Sequence, residues 1–186
     1  MTLLKIARMG HPVLLQRAEP VADPTSREIR RLVADMVETM EDARGVGLAA
    51  PQVHIGRRVI VFKAPAERTG ADGAPEAEAP LTALVNPEFE PVGDDIELGW
   101  EGCLSIPGLT GAVPRHARIR YRGISPDGRA VEREAEGFHA RVVQHEIDHL
   151  DGILYTMRMD DLGMLCFSDE MHHFAEAARD RARAAE

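Results

Sequence analysis

Gln144-His145-Glu146-Ile147-Asp148-His149-Leu150 is the stretch from which the rest of this chain is read. On an α-helix, residues four apart point nearly the same way, so His145 and His149 can grip one cation. Glu146 then lies beside the ion without binding it, placed to take a proton from water. Phe138, Val142, His145 and His149 share one helical face, so that face looks inward, where water can be excluded. The helix is expected to run from Gly137 to Leu150, with Asp151-Gly152 ending it.

Two histidines need a third ligand. A continuation of the form HExxHxxGxxH would place a histidine where this chain has Tyr155, a poor ligand, although Gly152 fits the glycine position. Downstream, Glu170 offers a carboxylate. Upstream, Glu101-Gly102-Cys103-Leu104-Ser105 offers the Cys103 thiolate, which binds transition metals strongly and with two histidines leaves a fourth position open. A third stretch, Gly45-Val46-Gly47-Leu48-Ala49-Ala50-Pro51-Gln52, is uncharged and small. It reads either as a helix stop with a buried turn or as a wall against which a substrate backbone can lie, since glycine lets main chains approach. Gln52 supplies an amide donor at its end.

Taken together and in this order, GVGLAAPQ from Gly45, EGCLS from Glu101 and QHEIDHL from Gln144 resemble the peptide deformylase family, from about Leu4 to Met159. The resemblance implies a metal-dependent hydrolase that removes the formyl group from the N-terminal formylmethionine of nascent polypeptides and releases formate. It implies Cys103, His145 and His149 as metal ligands, with Fe²⁺ the native ion and Zn²⁺, Ni²⁺ or Co²⁺ able to replace it. Glu146 would act as general base and then general acid, while Gln52 and the Leu104 backbone N–H would form the oxyanion hole. Substrate would touch Val46, Gly47, Gly102, Phe138 and Val142, with Val46, Phe138 and Val142 walling the methionine pocket. Backbone pairing at Gly47 and after Ser105 would add the peptide as a strand. Thr110 stands where several relatives have an arginine near the substrate. Two rivals are a metalloprotease built on the same helix, which would not need Cys103, and a binding module that has kept the fold.

Outward from these motifs, the elements point to an α+β domain. Ile29, Leu32, Val33, Met36, Val37 and Met40 recur at helical spacing, with Thr25 and Glu28 reading as a capping box and Gly45 as the stop. Residues 1 to 22, punctuated by Gly10, Pro12 and Pro20, read as an extended arm. Strands are expected at Arg57 to Lys63, at Leu81 to Asn86 (stopped by Pro87), at Asp95 to Trp100 and at Arg115 to Tyr121. Arg129 to Ala135 should return from the turn at Pro126-Asp127-Gly128. The Gly- and Pro-rich stretch after Cys103 reads as a bend, and Ala64 to Pro80 as an exposed loop. A C-terminal helix is expected over about 168–184. The resulting picture is of mixed or antiparallel sheets packed around a central HExxH-bearing helix, with an N-terminal and a C-terminal helix, as one catalytic domain over 1–186.

Length and charge narrow the function further. A chain of 186 residues can bury a core without disulfide staples, and its two cysteines, Cys103 and Cys166, make no secreted-type framework. Lys+Arg of 22 against Asp+Glu of 31 gives a net charge of −9, which argues against DNA as a partner. No apolar run suits a membrane span and Met1 to Arg8 has no secretory apolar region, so a cytoplasmic enzyme is expected. Arg179, Arg181 and Arg183 read as a solvated helix face or as a ribosome-docking surface. His11, His54, His172 and His173 read as surface or capping residues, not ligands.

Overall fold

In a computed structural model of the chain, residues 2–64 and 79–174 are described. Helix α1 spans Arg27–Asp42 and helix α2 spans Gly137–Leu150. The strands are β1 (Gly47–Ala49), β2 (Val59–Ala64), β3 (Ala79–Pro91), β4 (Ile96–Cys103), β5 (Ile106–His116), β6 (Arg118–Ile124), β7 (Ala130–Glu136) and β8 (Leu165–Phe167). Two sheets result, one in the order β1-β2-β3-β6-β7 and one in the order β4-β5-β8. Each pair of named strands runs antiparallel.

Strand β2 explains why the larger sheet carries a helix on each face. Side chains alternate across a strand, and Val59-Ile60-Val61-Phe62 is buried on both sides. Val59 and Val61 join Ile29, Leu32, Met36 and Met40 of α1 in one core. Ile60 and Phe62 join Val143, Ile147 and Leu150 of α2 in another, together with Ile119 and Tyr121 of β6. A third core of Ala7, Leu14, Ile106, Val113, Leu154 and Tyr155 lies at the smaller sheet. Helix α2, buried from Ala140 to Leu150, thus holds its metal-ligand candidates inside the molecule.

Several boundaries differ from the sequence expectations. Ser26, not Thr25, caps α1: its Oγ accepts from the Ile29 N–H at 3.3 Å. Thr25 instead donates its hydroxyl to Asp23 Oδ1 at 2.8 Å, so an Asx-type turn wins over the expected capping box. The helix stop also moves, because the left-handed residue is Arg44 (φ 55°) and not Gly45. The Arg44 N–H bonds the Glu41 carbonyl and the Gly45 N–H bonds the Met40 carbonyl, a Schellman closure. Pro87 does not stop β3; the strand absorbs it in an irregularity between Val85 and Glu88. The bend expected after Cys103 is a turn of Leu104-Ser105 followed at once by β5. Pro114 is tolerated because β8 pairs only with Leu109–Gly111, which leaves β5 an edge strand beyond that point. Arg115 accordingly belongs to β5 and not to the next strand. The N-terminal arm contains a short 3-10 turn, Pro12–Leu15, capped by the His11 side chain. Residues 171–174 are helical; the rest of the expected C-terminal helix, with Arg179, Arg181 and Arg183, lies outside the described residues, as does most of the Ala64 to Pro80 loop.

Candidate metal centre and catalytic cavity

Cys103 ends β4, and α2 presents His145 and His149 to it. The candidate ligand atoms of Cys103, His145 and His149 lie within 4.8 Å of one another, and Cys103 Sγ is 3.2 Å from His149 Nε2. His145 is 8% and His149 1% exposed, so both candidate ligands are shielded from bulk solvent. Of the open alternatives for a third ligand, the fold brings in Cys103, and Glu170 is not part of the cluster. The donor set fits a transition-metal cation of zinc or iron type, since one thiolate and two imidazoles meet in one buried place. Burial by itself pushes the Cys103 thiol up, but the charge of His149 and hydrogen bonds from His145 and His149 outweigh it and hold the thiol well below its usual range.

Behind the ligands stands a buried ionic chain. His145 Nδ1 meets Glu101 Oε2 at 2.8 Å, which fixes the imidazole so that its other nitrogen faces Cys103. Arg115 binds Glu101 through two donors, at 2.8 and 3.0 Å, and bonds Asp148 on α2. Arg158 closes the other side of Asp148 at 2.7 Å. Arg141 donates to Glu101 Oε1 at 3.0 Å and to the Val113 carbonyl at 2.7 Å. Burial raises the Glu101 carboxyl, yet the bonds from His145 and Arg115 hold it far below the ordinary carboxylate range. Gly99 makes room for this arrangement: a Cβ there would sit 2.7 Å from Arg141 Cζ.

Glu146, next to His145, packs its carboxylate against Gly47 of β1. Its carboxylate occupies the space that a Gly47 side chain would need, with a Cβ there falling 2.6 Å from Glu146 Cδ. Gly47 is therefore required by the carboxylate itself. Burial raises Glu146 to about 7, and its Oε2 is buried with no hydrogen-bond partner. Gln52 donates from Nε2 to Cys103 Sγ at 3.4 Å and to Ser105 Oγ at 3.2 Å. Its Oε1 accepts from the Ala49 N–H at 2.8 Å, so the amide orientation is set. The Ser105 N–H also points at Cys103 Sγ, at 3.4 Å.

Cys103, His145, Glu146, Gln52, Glu101 and Arg141 open onto one cavity of about 510 Å³. Val46, Gly47, Gln52, Gly102, Cys103, Leu104, Phe138, Val142, His145 and Glu146 line it. His149 lies behind the wall. Every candidate substrate-contact residue is thus brought to one space. At Gly102 an added Cβ would make only ordinary contact with the Leu109 carbonyl, at 3.7 Å; the space it leaves is open to a ligand. Thr110 does not reach the cavity. It is buried and donates its hydroxyl to the Glu101 carbonyl at 3.0 Å.

A family model described as polypeptide deformylase matches residues 3–164. The chain belongs to the polypeptide deformylase family. It is therefore a hydrolase that removes the formyl group from N-terminal formylmethionine of nascent polypeptides and uses a divalent metal. Peptide deformylase 1 of Xanthomonas campestris pv. campestris is 53% identical over 170 residues, covering 91% of this chain and 97% of that one. Peptide deformylase 1 of Bordetella pertussis is 54% identical over 158 residues, covering 84% and 88%. Among solved deformylase structures, that from Ehrlichia chaffeensis superposes with a TM-score of 0.78 at 32% identity, covering 88% of this chain and 91% of that one. The Met-Ala-Ser-bound class I type b deformylase from Acinetobacter baumannii gives 0.75 at 38% identity, covering 85% and 99%.

The deformylase motifs carry Val46, Gly47, Gln52, Gly102, Cys103, Leu104, His145 and Glu146, which line the cavity and were visible in the sequence. Glu101 and Asp148 lie inside the same motifs, but their ionic partners Arg115, Arg141 and Arg158 carry no motif signal; only their pairing with two buried carboxylates reveals them. Trp100, Arg44 and Ser168 also line the cavity and were invisible for the same reason.

Proposed function

We propose that Cys103, His145 and His149 hold the cation and that Glu146 moves the protons of deformylation. When bound, such a cation supplies a Lewis-acidic centre that polarises the formyl carbonyl and acidifies water. The chain's own residues do the rest. Glu146 accepts a proton from the attacking water and returns it to the leaving amine, a role that suits a buried carboxyl whose proton affinity is raised. Gln52 Nε2 and the Leu104 backbone N–H donate to the oxygen on which negative charge grows; one such donor is typically worth roughly 3 to 4 kcal/mol of barrier. Val46, Phe138 and Val142 enclose the methionine side chain. Gly47 and Gly102 leave room for the peptide backbone.

The observation that carries this reading is the seating of the Glu146 carboxylate against Gly47, beside the Cys-His-His cluster and inside the same cavity. Formate release from formyl-Met-Ala-Ser, with unformylated Met-Ala-Ser as control, tests it. Glu146→Gln is expected to keep one cation per chain and to lose at least about 10²-fold in kcat. Full turnover in that variant would remove Glu146 from its role. Cleavage of the unformylated peptide would favour the protease reading instead.

Fe²⁺ is our choice of native ion, on the family resemblance, with Zn²⁺, Ni²⁺ and Co²⁺ as replacements; metal analysis of anaerobically purified protein decides. A reduced thiol among the ligands supports a cytoplasmic setting. We further infer that the basic stretch Arg179, Arg181 and Arg183 meets the ribosome from which nascent chains emerge. Unchanged co-sedimentation with ribosomes at low salt after deletion of Arg179 to Glu186 would remove that idea.

A further inference from the structure

Most charged side chains at the cavity are already answered. Glu101 is matched by Arg115 and Arg141, and His145 by Glu101. Glu146 is buried. Arg44 differs from all of them: it lines the same cavity, is exposed, and has no ion-pair partner among the described residues. Neighbouring Glu41 is engaged by Lys63 at 3.6 Å. The Arg44 backbone is held in the left-handed region by the closure of α1, so the side chain leaves from a fixed point at the rim. A cation there is favoured by the C-terminal end of the helix, which accounts for its charge but not for its place on the cavity wall.

We propose that Arg44 selects among substrates by the charge of their third residue, favouring an acidic side chain over a basic one. This rests on the reading that the formylated methionine sits at Val46 and Glu146 with the peptide extended along Gly47 to Gly45. An extended chain advances about 3.3 Å per residue, so a peptide running outward along this stretch brings its third residue abreast of Arg44. A carboxylate there meets the exposed guanidinium. An ammonium meets repulsion, while a neutral side chain is indifferent. The net charge of −9 works against acidic peptides everywhere else on the surface, so the ratio between peptides measures Arg44 and not the absolute rate.

The test compares kcat and KM for C-terminally amidated formyl-Met-Ala-Glu, formyl-Met-Ala-Gln and formyl-Met-Ala-Lys, using the metal-loaded full chain and its Arg44→Gln and Arg44→Glu variants. Both substitutions keep the same left-handed backbone demand as arginine, so the closure of α1 is preserved. The Glu-to-Lys ratio of kcat/KM should fall about two- to fivefold in Arg44→Gln, as expected for an exposed charge pair, and fall further in Arg44→Glu. The change should appear in KM and shrink in 0.5 M salt. Turnover of the neutral peptide should stay level, which reports that the catalytic site itself is intact. A ratio unmoved by either variant overturns the proposal, as does a loss that strikes the neutral peptide equally. Absence of formate release from all three peptides in the unsubstituted chain would instead strike the underlying reading of the site.

Discussion

Gly47 is the residue at which backbone and chemistry meet most tightly. A glycine beside a substrate channel is ordinarily explained by the approach of a ligand. Here the neighbour is the Glu146 carboxylate, so a single methyl group must displace it. Gly47→Ala should lower kcat about 10²-fold or more while cation content and folding remain close to those of the unsubstituted chain, as measured by formate release alongside metal analysis and circular dichroism. Unchanged kcat would mean that Glu146 works from another position. The candidate site residues that the fold brings to the cavity were largely legible in the sequence, because a helix face, a cysteine in a short motif and a glycine-rich stretch each state their chemistry locally. The cause of the glycine at 47 was not legible, because it depends on a contact between residues 47 and 146 that only the fold creates.

At the scale of elements, the two ends of α1 show where local reading falls short. Ser26 and Thr25 are chemically equivalent cap residues, and Asp23 decides between them by taking the Thr25 hydroxyl. Ser26→Ala should cost about 1 kcal/mol, and Thr25→Ala distinctly less, by urea denaturation; the reverse order would restore the cap to Thr25. The turn between β4 and β5 makes the same point. Glycine and proline in Ile106–His116 suggest a bend, yet pairing along the whole of β4 outweighs their low strand propensity. That pairing delivers Cys103 to α2 and puts Glu101, opposite Gly111, on the same sheet face as Arg115, opposite Glu97, so that their side chains meet at 2.8 Å.

Across the whole molecule, α2 is fastened to the smaller sheet by buried charges. Arg115 bridges Glu101 of β4 and Asp148 of α2, and the same Glu101 orients His145. Fold and site therefore share one set of residues. Arg115→Met would leave two carboxylates without their common partner, a loss of about 3–5 kcal/mol by the usual cost of breaking a buried pair. The cation content of the purified protein should fall with it, because His145 loses its support. Cation binding also acts on the whole fold: a ligand held only by the native state stabilises it. Removal of the ion by a chelator should lower Tm, and re-addition should restore it. A Tm indifferent to the chelator would mean that the three ligand candidates hold no cation in the native protein. The alternating Arg118, Arg120 and Arg122 on β6 pair at the surface with Glu88, Glu90 and Glu134; such exposed pairs contribute little by comparison.

The convergence of one sulfur and two imidazoles on a single ion is the claim from which the others follow, and Co²⁺ reports it most directly. Loaded with Co²⁺, the chain should bind one ion and show a thiolate-to-metal charge-transfer absorption. That absorption should vanish in Cys103→Ala, and the ion itself should be lost on replacing His145 or His149. Tight Co²⁺ binding with no sulfur signature, or with the signature intact in Cys103→Ala, would contradict the account.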